Sequence, residues 1–296
     1  MHVNAVTIGD YAINKELGKK GSSTDITIYH RRIDDDVVTL IEPTKYPEKY
    51  QPLIKAMAYA DAALINSLQI DAFLGEALIT LELMGMRQVL VISNHDSLKK
   101  VANELGTNYK YLDAYGALEE LRRLGPASLS NSPLVIIDQA FNVKSVGTVI
   151  LGFIKGGKIG VHDKLKLQPK GIEVEVRSIQ IQDVNYDEAE LGTRVGLALK
   201  GVSADDIEEG DVLCIDCRAS SMIRGHFNPN KYFKQGTQGQ LHISMGSKIR
   251  PIKSMRLEQS TAYIEVDSPM PIVSSRAAVM KLDAKPPRIV GSIEIE

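Results

Sequence analysis

Net charge is almost absent from this 296-residue chain, which carries −2 overall. No chain-wide basic field therefore advertises a nucleic-acid partner, although a local Lys/Arg face can act within a neutral chain. Cysteine is scarce too. Cys214 and Cys217 form one Cys-x-x-Cys, without the second pair of a zinc ribbon, and Leu213 and Ile215 give them strand-like flanks. The expectation is a structural pair of reduced thiols, as in a cytosolic protein. Met1-His2-Val3-Asn4 lacks the basic start and apolar run of a signal peptide. No apolar run approaches the roughly 20 residues of a membrane helix. These absences predict a cytoplasmic chain with no membrane partner. His162, His226 and His242 are scattered, with no acid at a catalytic or ligand spacing, so neither a hydrolase triad nor a metal site is predicted.

What the chain does have is the composition of a folded protein, 44% hydrophobic and 24% charged, with room for two or three domains. Residues 1–128 alternate strand and helix. Apolar or β-rich runs cover Val3 to Ile8, Thr24 to Tyr29, Val37 to Ile41, Ala62 to Ile65 and Gln88 to Ile92. Helical spacing covers Tyr46 to Ala60, Phe73 to Met84, Ser97 to Leu105 and Leu118 to Leu124. Such alternation predicts an open, mostly parallel sheet with helices on both faces.

The pattern changes at the small, polar stretch between Pro126 and Pro133. Beyond it, short β-rich runs are separated by turn residues, which suggests barrels or sandwiches. Val174 and Val176 share one face and Ile179 and Ile181 the next, a slip that predicts a β-bulge at Arg177-Ser178. A second break falls near Arg218 to Lys231. The expected domains are an α/β unit over 1–128, a β-barrel over 132–216 and another over 217–296.

The second of these units carries motifs in a particular order. Ile137-Asp138-Gln139-Ala140-Phe141-Asn142-Val143-Lys144-Ser145-Val146-Gly147-Thr148-Val149 opens it. Gly160-Val161-His162-Asp163-Lys164-Leu165, Val176-Arg177-Ser178-Ile179-Gln180, Gly192-Thr193-Arg194-Val195-Gly196-Leu197 and Ala204 to Leu213 follow. This series resembles the second domain of translational GTPases of the elongation factor Tu family. The pattern is similar to that of the archaeal selenocysteine-specific factor, whose third-domain end also resembles Lys281 to Gly291. The fourth domain often found in that factor is not expected here. The resemblance implies a G-domain-like α/β unit followed by two β-barrels.

It also implies a nucleotide site, which can be tested motif by motif. A phosphate loop needs Gly-x-x-x-x-Gly-Lys-Ser/Thr, with glycines for the backbone wrap, Lys for the β/γ-phosphates and a hydroxyl for Mg²⁺. From Gly9 this chain has Gly and Lys15 in place, but Asn14 for the second glycine and Glu16 for the hydroxyl. A carboxylate beside phosphates is repelled. The alternative for Lys15 is a surface helix lysine. Ser23, in Lys20-Gly21-Ser22-Ser23-Thr24-Asp25, resembles the end of the first switch. The stretch from Lys15 to Glu42 leaves scant room for a first helix, a switch and two strands, since three helical turns take about 11 residues. In the second switch, Glu42-Pro43-Thr44-Lys45-Tyr46 puts Lys45 where a glycine meets the γ-phosphate and Tyr46 where a histidine orients water. Ser93-Asn94-His95-Asp96 stands for the base-reading motif. There Asp96 is either a guanine acceptor or a helix cap.

Four departures together predict no GTPase activity and no catalytic residue, and no cofactor is expected. GTP or GDP with Mg²⁺ is the alternative, at the remnant positions Gly9, Asn14, Lys15, Ser23 and Asp96. The resemblance further implies an aminoacyl or RNA pocket at Asp138, Gln139 and Arg194, with Gln139 replacing the family's histidine. Arg194 holds either an anion or Asp138. Lys144, Lys155, Lys158, Lys164 and Lys166 are candidates for an RNA-tracking face, or simply solvated strands. The expected function is that of an elongation-factor-like protein with an impaired GTP site, binding tRNA, the ribosome or another translation factor through its barrels, and not DNA. The alternatives are an active or partner-activated GTP-binding factor, and a protein-interaction scaffold without RNA.

Overall fold

The β1 strand, His2–Gly9, is buried on both faces, which is why it reads as an unbroken apolar run rather than an alternation. The computed structural model describes residues 1–92, 96–105 and 109–296, and of Asp96 the backbone alone. After β1 come a short helix α1 (Ala12–Leu17), β2 (Lys19–Ser23), β3 (Thr27–Ile33) and β4 (Asp36–Glu42). Next are α2 (Gln51–Tyr59), β5 (Ala62–Asn66), α3 (Ala72–Leu83), β6 (Val89–Val91), α4 (Asp96–Glu104), β7 (Lys110–Tyr111) and α5 (Ala114–Leu124). These strands form one sheet in the order β2-β3-β4-β1-β5-β6-β7. Strands β4, β1, β5, β6 and β7 are parallel, and β2 and β3 add an antiparallel edge.

Period-two alternation divides the sheet between two cores. Val6, Ile8, Ile41, Ala63 and Ile65 pack against α2 and α3, while Val3, Ala5, Val38, Leu40 and Leu64 pack against α5. Two helices begin elsewhere than helical spacing suggests. Pro47 disfavours the helical region for Tyr46, and α2 starts only at Gln51, with Pro52 in its first turn. The start of α5 moves forward to Ala114 because the Asp113 carboxylate accepts from Gly116 N at 2.6 Å.

The remaining strands build two barrels. The first uses β8 (Leu134–Val143), β9 (Gly147–Gly156), β10 (Lys158–Gly160), β11 (Lys164–Gln168), β12 (Ile172–Ile181), β13 (Val184–Tyr186), β14 (Glu188–Glu190), β15 (Arg194–Lys200) and β16 (Val212–Cys214). Of these, β10 and β14 pair in a separate antiparallel ladder. Its order is β11-β16-β8-β9-β15-β12, and pairing of β11 with β12 closes it. The register of β12 against β15 shifts between Val176 and Ser178, at the predicted bulge. The second barrel uses β17 (Ala219–Pro229), β18 (His242–Met245), β19 (Lys248–Glu258), β20 (Thr261–Pro271), β21 (Arg276–Met280) and β22 (Ile289–Ile295), closed as β17-β20-β19-β18-β21-β22.

Buried charges join the three parts. Arg288, before β22, grips Glu76 of α3 through Nε at 3.0 Å and Nη2 at 2.6 Å, and it also lies over the Tyr50 ring. Lys155 of β9 donates to Asp61 at 2.5 Å, with both side chains almost fully buried. Lys248 of the second barrel donates to Asp211 at 2.7 Å and to Glu208 at 2.8 Å. Lys155 is therefore not part of any solvated RNA-tracking face. One further expectation fails: Cys214 and Cys217 are joined in a disulfide rather than reduced. The turn after β16 brings their Cα atoms to 6.2 Å, within bridging range. Among the described residues no helix is long and apolar enough to cross a membrane.

Candidate functional site

Two corners hold the residues singled out by the sequence. The first lies at the carboxyl end of β1. Gly9 has φ +103°, and a Cβ there would stand 2.2 Å from the Asn66 carbonyl oxygen, so only glycine fits. This glycine serves a close approach of β1 to the end of β5. Asp10 N donates to Asn66 O at 2.5 Å, and Asn66 Nδ2 donates back to Asp10 O at 2.9 Å. The Asp10 carboxylate then accepts from Ala12 N at 2.9 Å. Only Asp10 and Tyr11 separate β1 from α1, so no long backbone loop is left to wrap a phosphate.

Asn14 lies inside α1 and is buried. Its Oδ1 accepts from Thr7 at 2.9 Å, and its Nδ2 donates to the buried Glu42 at 3.3 Å. Lys15 and Glu16 are exposed on the same helix. Ser23 shares a hydroxyl chain with Thr27 at 2.8 Å, and Thr27 in turn contacts Thr44 at 2.6 Å. Lys45 reaches Asp25 through both its backbone and its side chain. Tyr46 is buried, donates to Phe73 O at 2.5 Å and lies beside the Arg288 guanidinium. Burial first, and then the Glu76 carboxylate, push its phenol far up, so it stays neutral. The structure thus brings Gly9 and Asn14 to one corner as packing residues and leaves Lys15 on the surface. Residues 93–95 and the Asp96 side chain lie outside the described residues.

The second corner lies between the sheet edge and the first barrel. The β8–β9 register skips Asp138, between Ile137 and Gln139. Such a bulge re-aims a side chain. Arg194, opening β15, donates from Nη2 to the Asp138 carboxylate and to Ser22 Oγ, each at 3.0 Å. Its guanidinium also lies 5.7 Å from the Phe153 ring centroid, and Phe153 stacks on Tyr59. Asp138 is buried, while Arg194 remains partly open, with 12% side-chain exposure.

The pair stands between two cavities. Arg194 lines one of about 760 Å³ together with Lys19, Lys20, Ser22, His30 and Arg32. Asp138 and Gln139 line another of about 440 Å³ with Thr24, Asp25 and Lys45. Burial, then the Arg194 and His2 charges, hold His30 down at about 4, so the ring is neutral near pH 7. Lys144 stands exposed beyond the end of β8, where Val143 pairs with Gly147, well along the hairpin from Arg194. The structure does not bring Lys144 into this corner.

Sequence reading missed Lys19, Lys20, His30 and Arg32 as cavity walls. The available signal was the recurrence of basic residues at Lys19-Lys20 and His30-Arg31-Arg32, which the β2–β3 hairpin brings together by pairing Lys19 with His30. It also missed the acid beside His162, which lies 3.2 Å from Glu175 across the strands rather than at a local spacing.

Comparison with known proteins places this geometry in context. The profile of elongation factor Tu domain 2 matches residues 147–214. The protein MJ0325 of Methanocaldococcus jannaschii is 36% identical over 248 residues, covering 79% of this chain and 80% of that one. The selenocysteine-specific elongation factor of the same organism is 29% identical over 232 residues, covering 67% of this chain and 49% of that protein. Translation elongation factor SelB from Methanococcus maripaludis, solved in complex with a GTP analogue, superposes over 100% of this chain and 79% of its own, with TM-score 0.76 and 20% identity. A bacterial selenocysteine-specific elongation factor gives TM-score 0.83 at 15% identity, over 99% of this chain and 58% of that one.

Proposed function

The chain belongs to the elongation factor Tu family, and from that premise we propose that it is an elongation-factor-like binding protein whose nucleotide corner no longer supports GTP hydrolysis. Its partners are tRNA, the ribosome or another translation factor, met in the cytoplasm through the barrels and the cleft beside them. The observation that carries this reading is the contrast between the two corners. At the first, Asn66 and Asp10 take up backbone groups that a phosphate would need, and Asn14 is committed to the core. At the second, a guanidinium and two lysines border an open cavity.

An anionic group reaching that cavity meets Arg194, which offers charge-assisted hydrogen bonds, and Lys19 and Lys20, which add salt-sensitive attraction. Asp138 orients the guanidinium from the buried side. No proton transfer or covalent step is needed for such a role. Isothermal titration with GTP and with GDP tests the first half of the reading, and micromolar or tighter affinity overturns it. Filter binding of charged and uncharged tRNA at two salt concentrations tests the second half. Retention that falls with salt and with Arg194→Ala supports RNA binding, and no retention at either salt removes it.

A further inference from the structure

The carboxyl end of the parallel sheet, between β1 and β5, is where an open sheet of this kind offers a crevice to a ligand. Here that crevice is an open cleft of about 340 Å³. Its lining is about half apolar, with Tyr11, Leu68 and Phe73 among the apolar side chains and Asp10, Gln69 and Asp71 among the polar ones. Leu68 is 72% exposed, and Ile70 and Phe73 are 38% exposed each. A single exposed leucine needs no explanation. Three large apolar side chains within one short segment, beside a cleft, form a patch of the kind that marks a contact surface.

The ionic side chains on the described lining of the cleft are acidic, and Arg288, behind Tyr46, is taken up by Glu76. Asp10 and Asp71 line it, and among its described lining residues there is no Lys, Arg or His. Both carboxylates are held in place: Asp10 accepts from Ala12 N at 2.9 Å, and Asp71 accepts from Leu74 N at 2.7 Å as the cap of α3. Phe73 packs edge-on against Tyr46. Phosphates and anionic lipid surfaces are repelled by such a rim. A cationic group is attracted.

We propose that this cleft is a docking site for a segment of a protein partner that presents one large apolar side chain flanked by Lys or Arg. The apolar residue enters between Leu68 and Phe73, while the flanking cations face Asp10 and Asp71. The proposal rests on the reading that this corner does not take a nucleotide, which the GTP and GDP titration tests separately.

The test is selection of a random 12-residue peptide library, displayed on phage, against the full chain. The expected result is enrichment of an aliphatic or aromatic residue flanked by Lys or Arg. A synthetic peptide of that sequence should bind about tenfold more weakly to the Leu68→Ser/Ile70→Ser double variant, as expected for loss of apolar anchors. Raising salt from about 50 to about 500 mM should weaken it further. Both substitutions lie at exposed positions, and an unchanged melting temperature confirms that the variant is folded. Absence of enrichment overturns the proposal. So does a peptide that binds the double variant equally well. A dimer in light scattering that the double variant dissolves assigns the patch to a second copy instead and also overturns it.

Discussion

The corner at the end of β1 and the corner at the start of β15 were both singled out by family resemblance, but they are built in opposite ways. At the first, polar groups find their partners within the chain: Asp10 N on Asn66 O, Ala12 N on Asp10, and Asn14 on Thr7 and Glu42. At the second, Arg194 is anchored by Asp138 and Ser22, yet its side chain borders a large cavity with Lys19 and Lys20 beside it. Matching a motif identifies positions. Whether a position serves a ligand depends on whether its hydrogen-bonding groups are already engaged.

The sharpest way to test the self-contained character of the first corner is to break what braces it. Arg288 engages Glu76 with two guanidinium nitrogens while lying beside Tyr46 and Tyr50. Arg288→Ala leaves the fully buried Glu76 carboxylate unpaired, and a loss of about 3–5 kcal/mol is expected in denaturant unfolding. The double variant Arg288→Met/Glu76→Leu should recover much of it, because no buried charge is left behind. A loss below about 1 kcal/mol for Arg288→Ala would remove the pair as a brace.

The next largest effect asks whether the family residue can be put back. Asn14→Gly restores the second glycine of the phosphate-loop pattern. It also strips Thr7 and the buried Glu42 of a partner and places glycine within α1. A loss of about 2–3 kcal/mol is expected, combining an unsatisfied buried group with the helix penalty. Titration should show no GDP binding gained, even when Glu16→Thr is added, because the link from β1 to α1 remains Asp10 and Tyr11 alone. A gain of micromolar GDP affinity would erase the contrast between the corners.

How far the sequence made this legible varies with how local the governing interactions are. The α/β-then-barrels order and the bulge at Val176–Ser178 were readable because hydrophobic periodicity and turn residues act over a few positions. The Asp138 and Arg194 positions followed from motif order. Four things were not legible. Lys155 looked like one of several strand lysines, but its charge is buried on Asp61, distant in sequence. Asn14 looked like a damaged motif position and Glu42 only opened the second-switch stretch, and their mutual hydrogen bond requires β4 to lie beside β1. His30 and Arg32 entered the second corner only because β3 pairs with β2 at the sheet edge. The disulfide depends on how the chain turns after β16. Each of these is a contact that a one-dimensional pattern does not encode.

At the second corner, Arg194→Ala is expected to act on binding as much as on stability. Removing it leaves the buried Asp138 without its cation, for a cost of about 1–3 kcal/mol in thermal or denaturant unfolding. Any RNA or phosphate binding should fall by at least about tenfold, the usual scale for one charge-assisted contact of about 1.5–3 kcal/mol. Arg194→Lys keeps the charge but loses the fork. It should retain much of the stability and less of the binding. Equal effects of both variants on stability alone would make Arg194 purely structural.

His30 gives the same corner a pH dependence. Its folded value is held at about 4, against 6.5 for an ordinary histidine, so the unfolded chain binds more protons between those values. Stability is then fully present above about pH 6.5 and is lost as pH falls towards 4. The contribution is on the order of 3 kcal/mol. His30→Gln should flatten that limb of the stability profile. An unchanged slope between pH 6.5 and 4 would mean that other groups set it.

The smallest expected effect separates the two lysines that resemblance proposed from those that the fold assembles. Lys144 sits exposed beyond β8, and Lys15 is exposed on α1. Among the described residues neither is held against a buried acid, so Lys144→Ala and Lys15→Ala should each change unfolding free energy by no more than about 0.5 kcal/mol. Each should also leave tRNA retention within about twofold. Lys19→Ala/Lys20→Ala, by comparison, should reduce both retention and its salt slope, the slope by about one unit for each phosphate no longer neutralised. If Lys144→Ala alone weakens retention as much as the Lys19/Lys20 pair, the RNA path runs along the hairpin of β8 and β9 instead of through the cleft at Arg194.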